Sequence, residues 1–200
     1  MNPKLLYVGM RYDYGRPGRG FDYGYRNIAS SLKTFCNKRG WEMLFYDFME
    51  RGSELGLDAM TEELSDLSAR EKPDYVFCSL FDFEHDPRHQ AFAQMSARGA
   101  VTISWFSDDN WRFDNYSSQI APCFDYVLTT IPGAVSRYQA LGLGDKVIRT
   151  QWACNEELYR PSESVKDVDV SFVGMPHSDR VEVLNALIQN GLDVQVFGHG

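Results

Sequence analysis

The sequence predicts an α/β protein built on an open, Rossmann-like parallel sheet, and three observations predict it. Eight short apolar runs recur along the 200 residues, separated by segments with helical period. Most of these runs are rich in β-branched or aromatic residues and lack polar–apolar alternation, the pattern of strands covered on both faces. The connections between them are long enough to return the chain for parallel pairing. Ligands on such a sheet bind beyond the carboxyl ends of its strands, so the loops that follow the strands are where chemistry is expected.

The elements follow in order. Leu5–Val8 is the first strand. Tyr25, Ile28, Ala29, Leu32, Phe35 and Cys36 then form one stripe at helical spacing, and Gly40 after Arg39 is placed to stop that helix. Met43–Phe48 is the second strand, and Leu57, Met60, Leu64 and Leu67 form the next helical stripe. Tyr75–Leu80 and Val101–Phe106 are strands flanking a helix at Arg88–Arg98. Tyr126–Thr129 precedes a helix over Pro132–Leu141, where Pro132 suits the first turn. Val147–Trp152 is the sixth run.

A polar stretch from Asn155 to Asp169, containing Pro161, Ser162, Glu163 and Ser164, has no apolar periodicity and marks a boundary. Beyond it come Val170–Val173, a helix from Asp179 to Gln189 with Asp179 and Glu182 spaced as a capping box, and Val194–Phe197. A β-α-β unit of about 30 residues cannot close its own core. Residues 1–160 therefore read as one domain and 167–200 as the start of a second, truncated Rossmann-like domain. The alternative is that the last two strands extend the first sheet.

Composition narrows the classes. Apolar types make up 44% of the chain, a level that supports a buried core rather than disorder. Lys and Arg number 20 against 28 Asp and Glu, a net charge of −8 that argues against a general nucleic-acid binder. No apolar run approaches the roughly 20 residues of a membrane helix. The stretch Leu5–Val8 is too short for a signal peptide. Cys36, Cys78, Cys123 and Cys154 lie far apart among apolar neighbours, which predicts reduced, buried thiols and a cytoplasmic location. The charge is uneven: residues 1–40 hold eight basic and two acidic residues, a net of +6 that leaves −14 for the rest. A basic patch on an acidic protein points to a small anionic ligand rather than a polyanion.

Four segments could carry chemistry. The loop after the first strand combines Arg11, Gly15, Arg16, Gly18, Arg19 and Gly20 with several aromatics and leads into a helix. Glycines let backbone N–H groups approach an anion and arginines grip it, although neither the ATPase nor the dinucleotide fingerprint is present. The bland reading is a solvated loop whose arginines balance the acidic body. After the fourth strand, Ser107-Asp108-Asp109-Asn110-Trp111-Arg112-Phe113 places adjacent carboxylates where one can act as a general base. Equally, one acid can cap the next short helix while Trp111 and Phe113 pack beneath it. After the third strand, His85 and His89 are four apart, but Pro87 between them breaks a helical metal face, so no metal site is expected. His85 remains a candidate base or hydrogen-bonding group. Finally, Gly174, Ser178 and Arg180 lie at a strand–turn–helix junction that suits phosphate.

Taken together, Trp105-Phe106-Ser107-Asp108-Asp109-Asn110-Trp111-Arg112-Phe113, Thr130-Ile131-Pro132-Gly133-Ala134, Gln151-Trp152-Ala153-Cys154-Asn155 and Asp169-Val170-Ser171-Phe172-Val173-Gly174 with Asp179-Arg180 resemble the CgeB-like, or spore-maturation-protein-like, glycosyltransferases. These are GT-B-type enzymes with two Rossmann-like domains. The resemblance implies that residues 1–160 form the acceptor-side domain and that residues 167–200 begin the nucleotide-sugar domain. It further implies a pattern that continues past Gly200, so that the 200 residues alone would make an incomplete enzyme.

The expected partners are a nucleotide-diphosphate sugar and an acceptor that is a glycan, a protein or a small molecule. No cofactor and no metal are expected. Asp109, then Asp108, would activate the acceptor hydroxyl, while the Arg11–Gly20 loop and the Gly174–Arg180 turn would face the departing diphosphate from opposite walls of a cleft. The rival reading is a non-catalytic module that binds a sugar or nucleotide or docks a partner. A metal-dependent transferase using Asp108 and Asp109 is a third.

Overall fold

A computed structural model describes residues 2–163, 165, 167–176 and 178–198. The chain divides into two compact units, Met1–Tyr159 and Arg160–Gly200.

The first unit is an α/β Rossmann-like fold. Its six strands are β1 (Lys4–Gly9), β2 (Glu42–Asp47), β3 (Tyr75–Cys78), β4 (Val101–Phe106), β5 (Tyr126–Thr129) and β6 (Val147–Arg149). They pair in the order β2-β1-β3-β4-β5-β6, every pair parallel. The helices are α1 (Ser30–Arg39), α2 (Phe48–Leu55), α3 (Leu57–Glu71), α4 (Gln90–Ala97), α5 (Asp109–Arg112), α6 (Ser118–Ile120) and α7 (Pro132–Ala140). A π-helical segment, Gly24–Ala29, leads into α1.

Side-chain alternation along the strands sorts the apolar residues onto two faces. On one face Leu6, Val8, Val76 and Cys78 pack with Met60 and Leu64 of α3 and Phe92 and Met95 of α4. That core continues as Phe106 and Val127 against Tyr116, Ala134 and Tyr138. On the other face Phe45, Tyr7 and Phe77 form an aromatic ladder across β2, β1 and β3, with ring centroids 6.0 Å apart at each step. Burying each large side chain of this kind contributes about 1.5–3 kcal/mol, so the ladder is a main support of that face.

Local structure departs from the sequence expectation at several points. The second strand ends at Asp47 rather than Phe48, because Asp47 caps α2 by accepting from the Glu50 N–H at 3.2 Å. The third strand ends at Cys78 rather than Leu80. The sixth ends at Arg149 rather than Trp152, since its partner β5 runs out at Thr129 and no ladder remains to pair with. The predicted stripe does form on one continuous helical segment, but its first turns are π-helical and Phe35 is exposed, set edge-on to Trp41. Gly40 ends α1 in the left-handed conformation, as its position predicts. Of the four thiols only Cys36 and Cys78 are buried; Cys123 is half-buried and Cys154 exposed, all four unpaired.

The second unit holds β7 (Val170–Val173) and β8 (Val194–Phe197), parallel and joined by α8 (Asp179–Gln189). Ser178, not Asp179, occupies the N-cap position, which puts Val181 rather than an acid at the third helical position, so the expected capping box does not form and Asp179 and Glu182 are first-turn acids. Leu184 of α8 is buried, whereas Val183, Ile188 and Phe197 are exposed, in keeping with how little one helix and two strands can cover. Ser164 of the predicted linker and His177 of the predicted turn lie outside the described residues.

Candidate functional site

From β1 the chain goes first to β2 on one side and then to β3 on the other, so the ends of β1 and β3 flank the point where strand order reverses. Such a switch point is the usual ligand crevice of an open α/β sheet. The residues there are Tyr7 of β1, Gly24 at the start of the helical segment that follows, and Ser79 after β3. A Cβ at Gly24 would lie 2.8 Å from the Tyr7 hydroxyl oxygen and 2.9 Å from both Asp22 Oδ1 and Ser79 Oγ. Asp22 caps the helical segment, accepting from the Tyr25 N–H at 3.1 Å. Burial holds the Asp22 carboxyl above its ordinary range, against backbone hydrogen bonds that pull it down. Burial likewise pushes the Tyr7 phenol far up.

The loop after β1 is folded, not floppy. Asp13 N–H donates to Gly20 at 3.0 Å and Asp22 N–H to Arg11 at 2.9 Å, closing a bridge between Tyr12 and Phe21. Gly15 and Gly20 sit at φ 66° and 87°, where a side chain is strained, and Gly18 has open space around it. Tyr14 also adopts a positive φ, 52°. The three arginines do not act together. Arg11 lies over the Tyr25 and Phe45 rings and lines a cleft along the β2 edge, Arg19 is paired with Asp13 at 3.2 Å over the Tyr14 ring, and Arg16 is exposed. A single basic rim is not what the loop forms, because Asp13 and the aromatic faces take up two of the charges.

At the end of β4 the two acids separate. Asp109 is 1% exposed, and its Oδ2 accepts from the Thr129 hydroxyl at 2.6 Å and the Tyr138 hydroxyl at 2.9 Å. Its Oδ1 is buried with no partner among the described residues. Asp109, the leading candidate from the sequence, thus faces inward and ties α5 to β5 and α7. Asp108 is half-buried and lines a cavity of about 30 Å³ with Ser79, Ser107, Arg112 and Tyr116. None of Arg11, Arg16 or Arg19 lines that cavity; its cation is Arg112, which donates to the Phe81 carbonyl and lies 4.3 Å from the Tyr116 ring centre. Trp111 is 64% exposed rather than packed beneath the helix; Phe113 is buried.

After β3, Asp82 Oδ1 accepts from the backbone N–H of Glu84 and of His85, both at 2.9 Å, and stands 2.8 Å from His85 Nδ1. A carboxylate partner calls for a proton on Nδ1, and in the neutral ring Nε2 is then an acceptor. His89 turns away, its ring against Phe83 and Tyr116 and its Nε2 3.7 Å from buried Asp86. Among the described residues no group of three or more His, Cys, Asp or Glu side chains could hold a metal ion. In the second unit Gly174 N–H donates to Phe197 at 2.8 Å, Ser178 has φ 56°, and an Arg180 guanidinium nitrogen donates to the Met175 carbonyl at 3.1 Å.

Sequence reasoning passed over Arg112, Asp82, Ser79 and Asp22. Arg112 stood inside the Ser107–Phe113 motif, Asp82 three residues before His85, and Asp22 carried the usual signal of an acid just before a helical stripe. Nothing local marked Ser79; only strand adjacency brings it to the Asp108 cavity.

Neither a protein-family model nor any curated protein matches the chain. Solved structures do. The apo form of the lipopolysaccharide outer core galactosyltransferase WaaB is similar over 98% of this chain and 68% of its own, with a TM-score of 0.56 and 16% identity. A type II dehydroquinase from Butyrivibrio crossotus matches over 72% of this chain and 98% of its own (TM-score 0.46, 14% identity), and a glycosyltransferase from Rickettsia africae over 100% and 69% (TM-score 0.45, 10% identity). The likeness to the galactosyltransferase shows the fold. Among the described residues no helix is long and apolar enough to cross a membrane.

Proposed function

We propose that this chain belongs to a GT-B-type glycosyltransferase, of the CgeB-like kind, that moves a sugar from a nucleotide-diphosphate donor to an acceptor hydroxyl. The observation that carries the reading is that the likeness to the galactosyltransferase extends over 98% of the chain and so takes in both compact units. The four motifs that resemble the CgeB-like enzymes support it independently.

In this reading the bond from the anomeric carbon to the diphosphate oxygen breaks through an oxocarbenium-like transition state, and the electron pair leaves with the diphosphate. The leaving group needs donors and positive charge where its own charge develops. In the first unit, Arg112 brings its charge to the Asp108 cavity while donating to the Phe81 carbonyl, Arg16 is exposed, and the backbone around Gly18 is open. In the second unit Arg180 lies in the first turn of the eleven-residue helix α8, whose N-terminal dipole favours an anion against the charges of Asp179 and Glu182 in the same turn. No metal is invoked. The acceptor proton requires a base with an open acceptor atom: Asp108 meets that condition, whereas Asp109 does not, having its carboxylate inside the fold.

The test is turnover of uridine and guanosine diphosphate sugars by the protein, followed as release of the nucleoside diphosphate. Asp108→Asn is expected to lower turnover by about 10²–10⁴-fold with folding intact. Failure of either nucleotide to bind in calorimetry, with no donor consumed, overturns the reading and favours a non-catalytic module. Loss of activity on adding a chelator would favour the metal-dependent alternative.

A further inference from the structure

We infer that a crevice beside His85, separate from the Asp108 cavity, binds the apolar portion of the acceptor, and that the acceptor is therefore an alcohol carried on an apolar body such as an aryl or alkyl group. The inference rests on the transferase reading for the word acceptor, but its evidence is local. The crevice has a volume of about 330 Å³, at the small end of the roughly 300–1,000 Å³ typical of small-molecule sites. The apolar part of its lining is Phe48 and Met49 from the start of α2, Leu57 from the start of α3 and the Tyr14 ring, while Ser53, Glu84 and His85 supply the polar part.

Tyr14 is held there by the positive-φ turn of the first loop and by its edge-on contact with Phe81, centroids 5.0 Å apart. On the polar edge His85 has its Nδ1 bound to Asp82, and in the neutral ring its Nε2 can accept a hydrogen bond from a hydroxyl. One ring nitrogen fixed and one free is the arrangement that orients an incoming O–H, and a polar edge above an apolar floor suits a molecule with the same division. Phe81 joins the two places, since its ring touches Tyr14 and His85 while its carbonyl accepts from Arg112 of the Asp108 cavity. Asp82 acts here as a positioning residue.

The experiment titrates the protein with phenyl β-D-glucoside and methyl β-D-glucoside while following the His85 ring signal by NMR, assigned with His85→Gln. The phenyl compound is expected to bind about tenfold more tightly, since a buried phenyl ring contributes more than that factor requires. It is also expected to shift the His85 signal. Gly52→Leu should abolish the preference by filling the crevice. Gly52 lines it, and a Cβ there would meet the Met60 methyl at an ordinary 3.7 Å. Ser53→Phe, at an exposed position on the same wall, should do the same should the first variant unfold.

Equal affinity for the two glucosides, or a preference that survives both wall variants, overturns the inference even where nucleotide sugars are consumed. Preferential binding that both variants remove upholds the crevice even where no donor is turned over, and in that case it is the transferase reading that falls.

Discussion

Gly24 has no room for a side chain. Three oxygen atoms, from Tyr7, Asp22 and Ser79, would each lie within 2.9 Å of a Cβ there, and Tyr7 itself is fully buried and cannot swing away. Gly24→Ala is expected to destabilise the fold by about 1–3 kcal/mol, the usual range for overpacking. Urea unfolding checks this, and a variant as stable as the parent would show that the crevice at the switch point can open. Asp109 gives a second residue-scale expectation. Thr129→Val and Tyr138→Phe each remove a hydrogen bond to a buried carboxylate, a loss of about 1–3 kcal/mol in stability. Turnover per folded molecule should change less than in Asp108→Asn, because Asp109 holds the loop and does not face solvent. Equal loss of turnover in all three would return Asp109 to the chemistry.

Among the elements, the start of β4 and the start of β5 are tied by one carboxylate. Asp125 accepts from Thr102 N–H at 2.9 Å, from the Thr102 hydroxyl at 3.0 Å and from Ser96 of α4 at 2.8 Å. Burial alone would raise its pKa, but these hydrogen bonds and Lys146 outweigh it and hold the carboxyl below its ordinary value. A carboxyl depressed in the fold stabilises fully above its unfolded pKa and loses that contribution as pH falls through the folded one. Asp125→Asn should therefore destabilise near neutral pH and by progressively less below the ordinary carboxylate range. Stability curves of the two proteins that stay parallel down to strongly acidic pH would refute it. The same scale explains what the sequence hid in α2. Asp47 ends an apolar run and caps a helix at once, so hydropathy read the junction as more strand, while Glu50 and the Arg51–Glu54 pair were the quieter helical signal.

For the whole molecule, the first unit is secured where it ends. Asn155 is buried, its N–H donating to Asn27 Oδ1 at 3.0 Å and its side-chain amide to Ser30 Oγ at 2.6 Å. The Tyr23 hydroxyl bonds Ala153, and Trp152 meets both Tyr23 and Trp105 edge-on. These contacts place the helical segment at 24–39 and the end of the unit in one structure, although about 120 residues lie between them. Asn155→Ala should release residues 151–159 from that helix. Hydrogen exchange at the Asn155 and Tyr159 amides would rise by tenfold or more, each 1.4 kcal/mol of lost local stability being one factor of ten. Unchanged protection would mean that the aromatic contacts alone suffice.

The sequence by itself determined the strands, their parallel pairing through long crossovers, most of the helices and the strand-end loops that carry polar groups. These depend on periodicity and on glycine, proline and capping chemistry within a few residues, which a single chain displays openly. It did not determine which member of a charged pair faces solvent. Asp108 and Asp109 are adjacent and chemically alike, and only the hydroxyls of Thr129 and Tyr138, about twenty and thirty positions on, draw one of them inside. Nor could it show that Asp13 neutralises Arg19, that Arg112 rather than the glycine-loop arginines stands beside Asp108, or that Tyr14 and His85 share a crevice. Those are pairings between distant segments, fixed by strand adjacency and by competition for buried hydrogen bonds, and they exist only once the chain is folded.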